Sequence, residues 1–269
     1  MLFVFGIAMG SFLNVVATRY DGEHFLFSNK LIGGRSRCEQ CKETLRWFEL
    51  VPLFSFMAQG ARCRRCQARL SSQYPIVELL SGTVFVFVPL VLGVGHTLGI
   101  GAIAGAPLAL LAALWIAVFE ALLVMALIDI RLGIIPDEIN IFLVIVGVLF
   151  LLIPVPLTII AIIPKIISAL GAGAFFALLI AVTRGKGMGM GDLKLAIPLG
   201  LLFGWPEIVL VLMAAFVIGA VVGLVAVARG TNSMKGTLPF GPFLALGAVT
   251  AFFWGAPIIG WYLSLLGMR

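Results

Sequence analysis

The chain has 269 residues, of which 62% are hydrophobic and 11% charged, with a mean hydropathy of +1.17. Ordinary globular chains are about 45 to 50% apolar, so a soluble domain is excluded, and the number of runs able to cross a bilayer, at about 20 residues each, sets the class. Eighteen Lys and Arg against twelve Asp and Glu give a net charge of +6. In so apolar a chain that excess is explained by basic loops retained on the cytoplasmic side, and it implies no nucleic-acid partner.

The run from Met1 to about Thr18 reads as a first transmembrane helix (1–18) rather than a cleaved signal, because no basic stretch precedes it and no small-residue cleavage site precedes Arg19. Between Arg19 and Glu78 the composition changes: ten of the basic residues, six of the acidic ones and all four cysteines lie there. Residues 19–75 are read as one hydrophilic insert. Apolar runs resume within a membrane domain at 76–269, near 76–94, 107–128, 139–153, 159–183, 193–204, 207–228 and 240–263. The prediction is an all-α polytopic membrane protein with about eight transmembrane helices, of which 193–204 is too short to cross alone at about 1.5 Å per residue. The abundance of Gly and Ala fits helices that approach closely.

Charge asymmetry orients these elements. With the insert in the cytoplasm, eight alternating spans put Arg131, Arg184, Lys186, Lys194, Arg229 and Lys235 on the same side and leave Lys165 and Arg269 opposite. Loops 129–138, 183–192 and 229–239 then meet at the cytoplasmic face.

Cys38 and Cys41, then Cys63 and Cys66, form two CxxC pairs separated by 21 residues. Four soft ligands with no His nearby suit a closed, structural tetrahedral Zn²⁺ site, and Arg37, Arg62, Arg64 and Arg65 would favour the thiolates. Two disulfides would need an oxidising compartment, and a redox CxxC lacks its βαβ setting.

Ionisable residues beside long apolar runs are costly to keep and so are functional candidates. Asp129 closes the run from Ala121 to Ile128, and Asp192 follows the glycines at 185, 187, 189 and 191. The topology puts both acids at one depth on one face. Two carboxylates brought together share a proton, one acting as base toward water and the other as acid toward a carbonyl, which is aspartyl-protease chemistry. Taken singly, Asp129 reads as a wetted helix end and Asp192 as a helix cap; a proton or ion relay in a coupled transporter is the rival for the pair. Gly189 and Gly191 would let the backbone take unusual dihedrals and a peptide lie close. Asp137 reads as a cap near the site, Glu120 as bonded to a bundle hydroxyl, Glu78 and Lys194 as interfacial ion-pair residues, and His24 and His96 as solvated loop residues. No phosphate-binding loop follows from the glycines, since no Gly-Lys-Ser/Thr accompanies them.

Several stretches together resemble the bacterial type IV prepilin peptidases, leader peptidase/N-methyltransferases of the GxGD class of intramembrane aspartyl proteases. They are Gly10-Ser-Phe-Leu-Asn-Val-Val16, the paired CxxC motifs, Arg69-Leu-Ser-Ser-Gln-Tyr-Pro-Ile-Val-Glu-Leu-Leu80, Asp129 with Ile135-Pro-Asp137, Gly187-Met-Gly-Met-Gly-Asp-Leu-Lys-Leu195 and Leu238-Pro-Phe-Gly-Pro-Phe-Leu244. The resemblance implies catalytic Asp129 and Asp192, zinc-binding Cys38, Cys41, Cys63 and Cys66, and supporting roles for Asp137, Gly189, Gly191 and Lys194. It also implies a bacterial inner-membrane enzyme with prepilin or pseudopilin helices and lipids as partners. Such an enzyme cleaves a basic leader after a glycine at the cytoplasmic face, then methylates the new N-terminus with S-adenosylmethionine. No glycine-rich nucleotide fingerprint names the residues for that donor. The basic leader would meet Asp21, Glu23, Glu39, Glu43 and Glu49, or the catalytic pair, within an insert that is itself basic.

Overall fold

The structure, a computed structural model, describes residues 1–28, 32–38, 40–97, 108–152, 159–185, 187–230 and 238–267, with backbone alone for 94–97 and 159–161. Lys186, Lys235 and Arg269 of the charge pattern and Glu39 of the insert lie outside the described residues. The described residues form α1 (Leu2–Arg19), a short α2 (Phe54–Ala58), α3 (Gln73–Thr97), α4 (Leu108–Leu132), α5 (Asp137–Leu152), α6 (Ile159–Thr183), α7 (Met190–Phe203), α8 (Glu207–Ala228) and α9 (Gly241–Leu265). They contain two isolated β-bridges and no strand.

Eight of these helices match the eight expected runs, yet among the described residues six are long and apolar enough to cross a membrane: α1, α3, α4, α6, α8 and α9. The 14 residues of α7 and 16 of α5 reach about 21 and 24 Å at 1.5 Å per residue, short of a hydrocarbon core of about 30 Å. His96 falls inside α3 instead of a loop.

Half of the α4 span is buried, against 17% for α8, which makes α4 the hub. It packs on α1, α3, α5 and α9, while α7 is wrapped by α5, α6, α8 and α9. Trp115 of α4 joins Phe119, Phe150, Phe203 and Phe252 in one aromatic cluster, and Phe176, Phe216, Phe240 and Phe243 form a second that reaches the start of α9. Large apolar residues such as Leu170, Val182 and Leu224 face outward, as lipid-facing surfaces do.

Close helix approach is built from glycine. In α1, Gly6 and Gly10 are spaced as small-xxx-small; a Cβ at Gly10 would stand 2.7 Å from Ser81 Cβ and 2.9 Å from the Val77 carbonyl, and one at Gly6 2.8 Å from Gly82 Cα. Gly200 of α7 lies as closely on Ala169 and Ser168 of α6, and Gly247 of α9 rests on the Val211 backbone of α8. Behind the α1–α3 seam Ser81 Oγ lies 2.7 Å from Gly6 O and 2.8 Å from Glu120 Oε1, so Glu120 does bond a bundle hydroxyl. Gly10→Leu is expected to cost about 1–3 kcal/mol by overpacking and to lower the melting temperature in detergent, whereas Phe12→Leu on the exposed side of α1 leaves it unchanged; thermal unfolding of the purified variants checks this.

Candidate active site and metal centre

Asp129 lies in the last turn of α4. The helix stops four residues later at Gly133, whose φ of +68° and N–H bond to the Asp129 carbonyl (2.8 Å) make a left-handed C-terminal cap. A helix C-terminus repels anions, so the Asp129 side chain is stabilised from elsewhere: Oδ2 accepts the N–H of Gly241, the first residue of α9, at 2.9 Å. Asp192 occupies the first turn of α7, where the helix dipole favours an acid, and its Oδ2 accepts the Gly189 N–H at 3.1 Å. Both carboxylates are buried. Neither Oδ1 atom has a hydrogen-bond partner among the described residues.

The two acids line one cavity of about 980 Å³, walled by Tyr20, Gly22 and Phe25 after α1, by Ile134 to Glu138 between α4 and α5, by Gly185, by Gly187 to Gly191 with Lys194, and by Leu238 to Phe240 before α9. The described parts of the three loops grouped by charge thus do gather at one end of the bundle.

Supporting residues depart in part from expectation. Asp137 begins α5, and its carboxylate takes the Lys194 ammonium at 2.8 and 3.0 Å, tying the start of α5 to the second turn of α7. Being exposed, this pair is worth about 0–1 kcal/mol, so its effect is alignment more than stability. Gly189 has an ordinary φ of −87°, and of the glycines at 185, 187, 189 and 191 the first alone is left-handed, at +72°. Gly191 is needed for another reason, since a Cβ there would crowd Ile135 Cβ at 3.3 Å. Glu78 makes no ion pair among the described residues; its Oε2 accepts the Leu53 N–H at 2.7 Å. His24 is not merely solvated, because Nδ1 lies 2.7 Å from Asp21 Oδ2. The His24 and Glu23 N–H groups, with that ring contact, hold the Asp21 carboxyl down to about 2.

Two partners escaped the sequence reading. Gly241 stood within the Leu238–Leu244 motif without a role, and Arg131 counted only as a loop charge. In the structure Arg131 donates to the carbonyls of Thr18 and Tyr20, clamping the end of α1 beside the cavity two residues after Asp129.

The insert is built around two copies of one turn. Cys38 N–H bonds the Glu43 carbonyl and Lys42 N–H bonds the Cys38 carbonyl; Cys63 with Ala68 and Gln67 repeats this at the same spacing. Lys42 and Gln67 both have positive φ, 56° and 57°, and the bridges Arg37–Thr44 and Arg62–Arg69 close the two hairpins. The four sulfurs lie within 4.8 Å of one another, Cys38 to Cys66 at 3.8 Å and Cys41 to Cys63 at 4.0 Å. Disulfide sulfurs are about 2.05 Å apart, whereas a tetrahedral ion with metal–sulfur bonds of about 2.3 Å spaces its thiolates about 3.8 Å apart. The four thiols fit such an ion. Backbone N–H groups of Cys66 and Arg65 bring Cys63 down to about 7. Cys41, in spite of the Glu43 N–H, is pushed up to about 11 by desolvation and the neighbouring sulfurs.

Six apolar spans among the described residues, with Asp129 and Asp192 at one end of the bundle, define the class as an integral membrane protein. A family model for the bacterial peptidase A24 N-terminal domain matches residues 4–92, and one for the type IV leader peptidase family matches residues 116–224. The chain is similar to prepilin leader peptidase/N-methyltransferases of Aeromonas salmonicida (31% identity over 293 residues, 99% of this chain and 94% of the relative) and Burkholderia pseudomallei (34% over 288, 98% and 87%). That of Bacillus subtilis is 30% identical over 269 residues, covering 98% of each chain. No solved structure matches it. The chain belongs to the prepilin leader peptidase/N-methyltransferase family.

A Cβ at Gly241 would stand 2.6 Å from Asp129 Oδ2. Gly241→Ala is therefore expected to displace that carboxylate and slow any reaction depending on it by roughly 100-fold, the scale of a 1 Å misplacement, and to lower the melting temperature, since the Cβ also meets Met125 Sδ at 2.8 Å; turnover of the folded fraction and thermal unfolding of one preparation check it. Cys63→Ser is expected to abolish stoichiometric metal binding and lower folded yield, as measured by elemental analysis and size-exclusion recovery.

Proposed function

We propose that this chain removes the leader of prepilins or pseudopilins at the cytoplasmic membrane face with Asp129 and Asp192, and that it methylates the new N-terminus. The observation that supports the peptidase chemistry best is the pair of buried carboxylates, from segments 63 positions apart, on the wall of one cavity. Each acid spends Oδ2 on a backbone N–H, which fixes its orientation while Oδ1 is available for water or substrate.

In the proposed reaction the pair holds one proton. The ionised acid takes a proton from a water whose oxygen attacks the scissile carbonyl carbon, and the protonated acid gives its proton to the carbonyl oxygen. The tetrahedral intermediate collapses with cleavage of the C–N bond, and the departing nitrogen takes a proton from the pair. No acyl-enzyme is involved, because no Ser or Cys nucleophile with a base partner lines the described cavity. Among the described wall residues Asp137 and Glu138 add negative charge against Lys194, which suits a basic leader. Of the insert acids assigned to the leader, Asp21 is engaged by His24, Glu49 by the Arg46 N–H and Glu43 by Arg65 at 3.6 Å. Beside the acid cavity, and sharing Glu138 with it, lies a second of about 970 Å³ walled almost wholly by apolar residues of α1, α3, α4 and α5 and by Leu26 and Phe27 of the insert. A helix with side chains is about 10–12 Å across, so that volume suits about two turns of an apolar substrate segment.

We infer that the cysteine cluster holds a structural Zn²⁺, since four thiolates leave no open position for substrate. S-adenosylmethionine as methyl donor rests on the family alone. It supplies a methyl group to the freed amine when bound, and no residue of this chain is assigned to it.

Asp129→Asn and Asp192→Asn are each expected to reduce leader removal by at least about 100-fold while the protein accumulates in membranes at the normal level. Incubation of the purified variants with a prepilin carrying a basic leader checks this, and retained cleavage in either variant would exclude the two-acid mechanism.

A further inference from the structure

The 20–72 segment carries an apolar edge that is largely exposed. Trp47 is 80% exposed, Phe54 70% and Met57 79%, with Leu50 and Val51 also exposed. In a small module whose buried residues, among those described, are Tyr20, Leu26, Cys38, Ser55 and Cys63, such exposure is out of proportion to its core. Neighbouring residues fix the edge in place: Arg64 lies over the Phe48 ring at 5.3 Å, Phe48 packs edge-on to Trp47 at 5.8 Å, and Glu49 caps the turn through the Arg46 N–H.

The position of this edge relative to the bilayer follows from one bond. Leu53 N–H, at the corner that leads into α2, is accepted by Glu78 Oε2 at 2.7 Å. Glu78 lies five residues inside α3, about 7.5 Å along its axis, among Ile76, Leu79 and Leu80, whose exposed side chains belong to the membrane-spanning stretch. The Trp47–Met57 edge is thus tied at the level where the span leaves the hydrocarbon. Amphipathic aromatic side chains favour that level. The surrounding charge is net positive as well: residues 20–72 hold nine basic residues against five acidic. Apolar and aromatic side chains flanked by cations are the pattern of a surface that lies in the interface of an anionic bilayer.

We propose that the insert docks on the bilayer that its own flanking helices cross, with Trp47, Leu50, Phe54 and Met57 seated among the headgroups and upper acyl chains and the arginines meeting anionic lipid phosphates. The module is then held at the membrane surface from below by lipid as well as from the side by Glu78.

The test uses the full chain in vesicles of phosphatidylcholine with or without phosphatidylglycerol. Subtracting the emission of Trp47→Phe, which keeps the edge apolar, isolates the Trp47 signal from the other four tryptophans. Expected are quenching of that signal by lipids brominated near the headgroup end of the acyl chain, loss of quenching by aqueous acrylamide, and strengthening of both effects when the anionic lipid is present. Acrylamide quenching without bromine quenching would overturn the proposal. So would resistance to both quenchers, which would mean that the edge is covered by protein. Equal bromine quenching with and without phosphatidylglycerol would overturn the role given to the arginines. Bound metal is measured on both proteins, so that a misfolded module is recognised.

Discussion

A carboxylate at the C-terminal end of an apolar helix has almost everything against it. Asp129 is buried at the negative end of the α4 dipole, and the nearest turn offers carbonyls, not donors. What makes the position tolerable is the arrival of another helix from 112 residues further on: the first N–H of α9 meets Oδ2 at 2.9 Å. The start of one helix thus compensates the end of another. That requirement fixes where α9 begins, why glycine stands at 241, and why the chain before it, Leu238 to Phe240, becomes cavity wall. Asp192 needs no such rescue, since it stands at the favourable end of its own helix and takes its donor from three residues away.

The same economy of backbone donors runs through the rest of the fold. Glu78, buried between α1 and α3, finds the Leu53 N–H of the insert, and the carbonyls at the end of α1 find the Arg131 guanidinium. These bonds join three parts that the composition separates sharply: first helix, polar insert and membrane domain. Glycines complete the arrangement by removing the side chains that would hold α1 from α3 and α6 from α7. In lipid the hydrophobic effect gives little drive for helix association, so close packing and polar bonds carry more of it.

Short helices deserve the same physical reading. At 14 residues α7 does not cross a bilayer, and helices on several sides surround it, so eight of its residues are buried. A helix that starts at the acid cavity and ends inside the bundle carries its first turn, with Asp192, at a fixed height against the last turn of α4. Length is then part of the site, because register between α4 and α7 decides whether the acids share a cavity.

Much was legible in the residues themselves. Apolar runs gave the eight helices to within about four residues at each end, because burial in lipid demands uninterrupted hydrophobic stretches that sequence displays directly, though only six of them, among the described residues, are long and apolar enough to span. The CxxC pairs announced a four-thiol cluster because each knuckle is local, built from bonds four and five residues apart. Asp129 and Asp192 stood out because charge is rare in such surroundings. Hidden from the sequence were the interactions that depend on distant chain segments meeting: the Gly241 N–H on Asp129, Arg131 on the end of α1, Leu53 on Glu78, and the Lys194–Asp137 pair. Composition and periodicity determine which segments form helices and which residues are too polar to lie there idly. Which backbone donor satisfies which buried acid is set only when the helices pack, since a hydrogen bond depends on separations of a few tenths of an ångström that no spacing along the chain encodes.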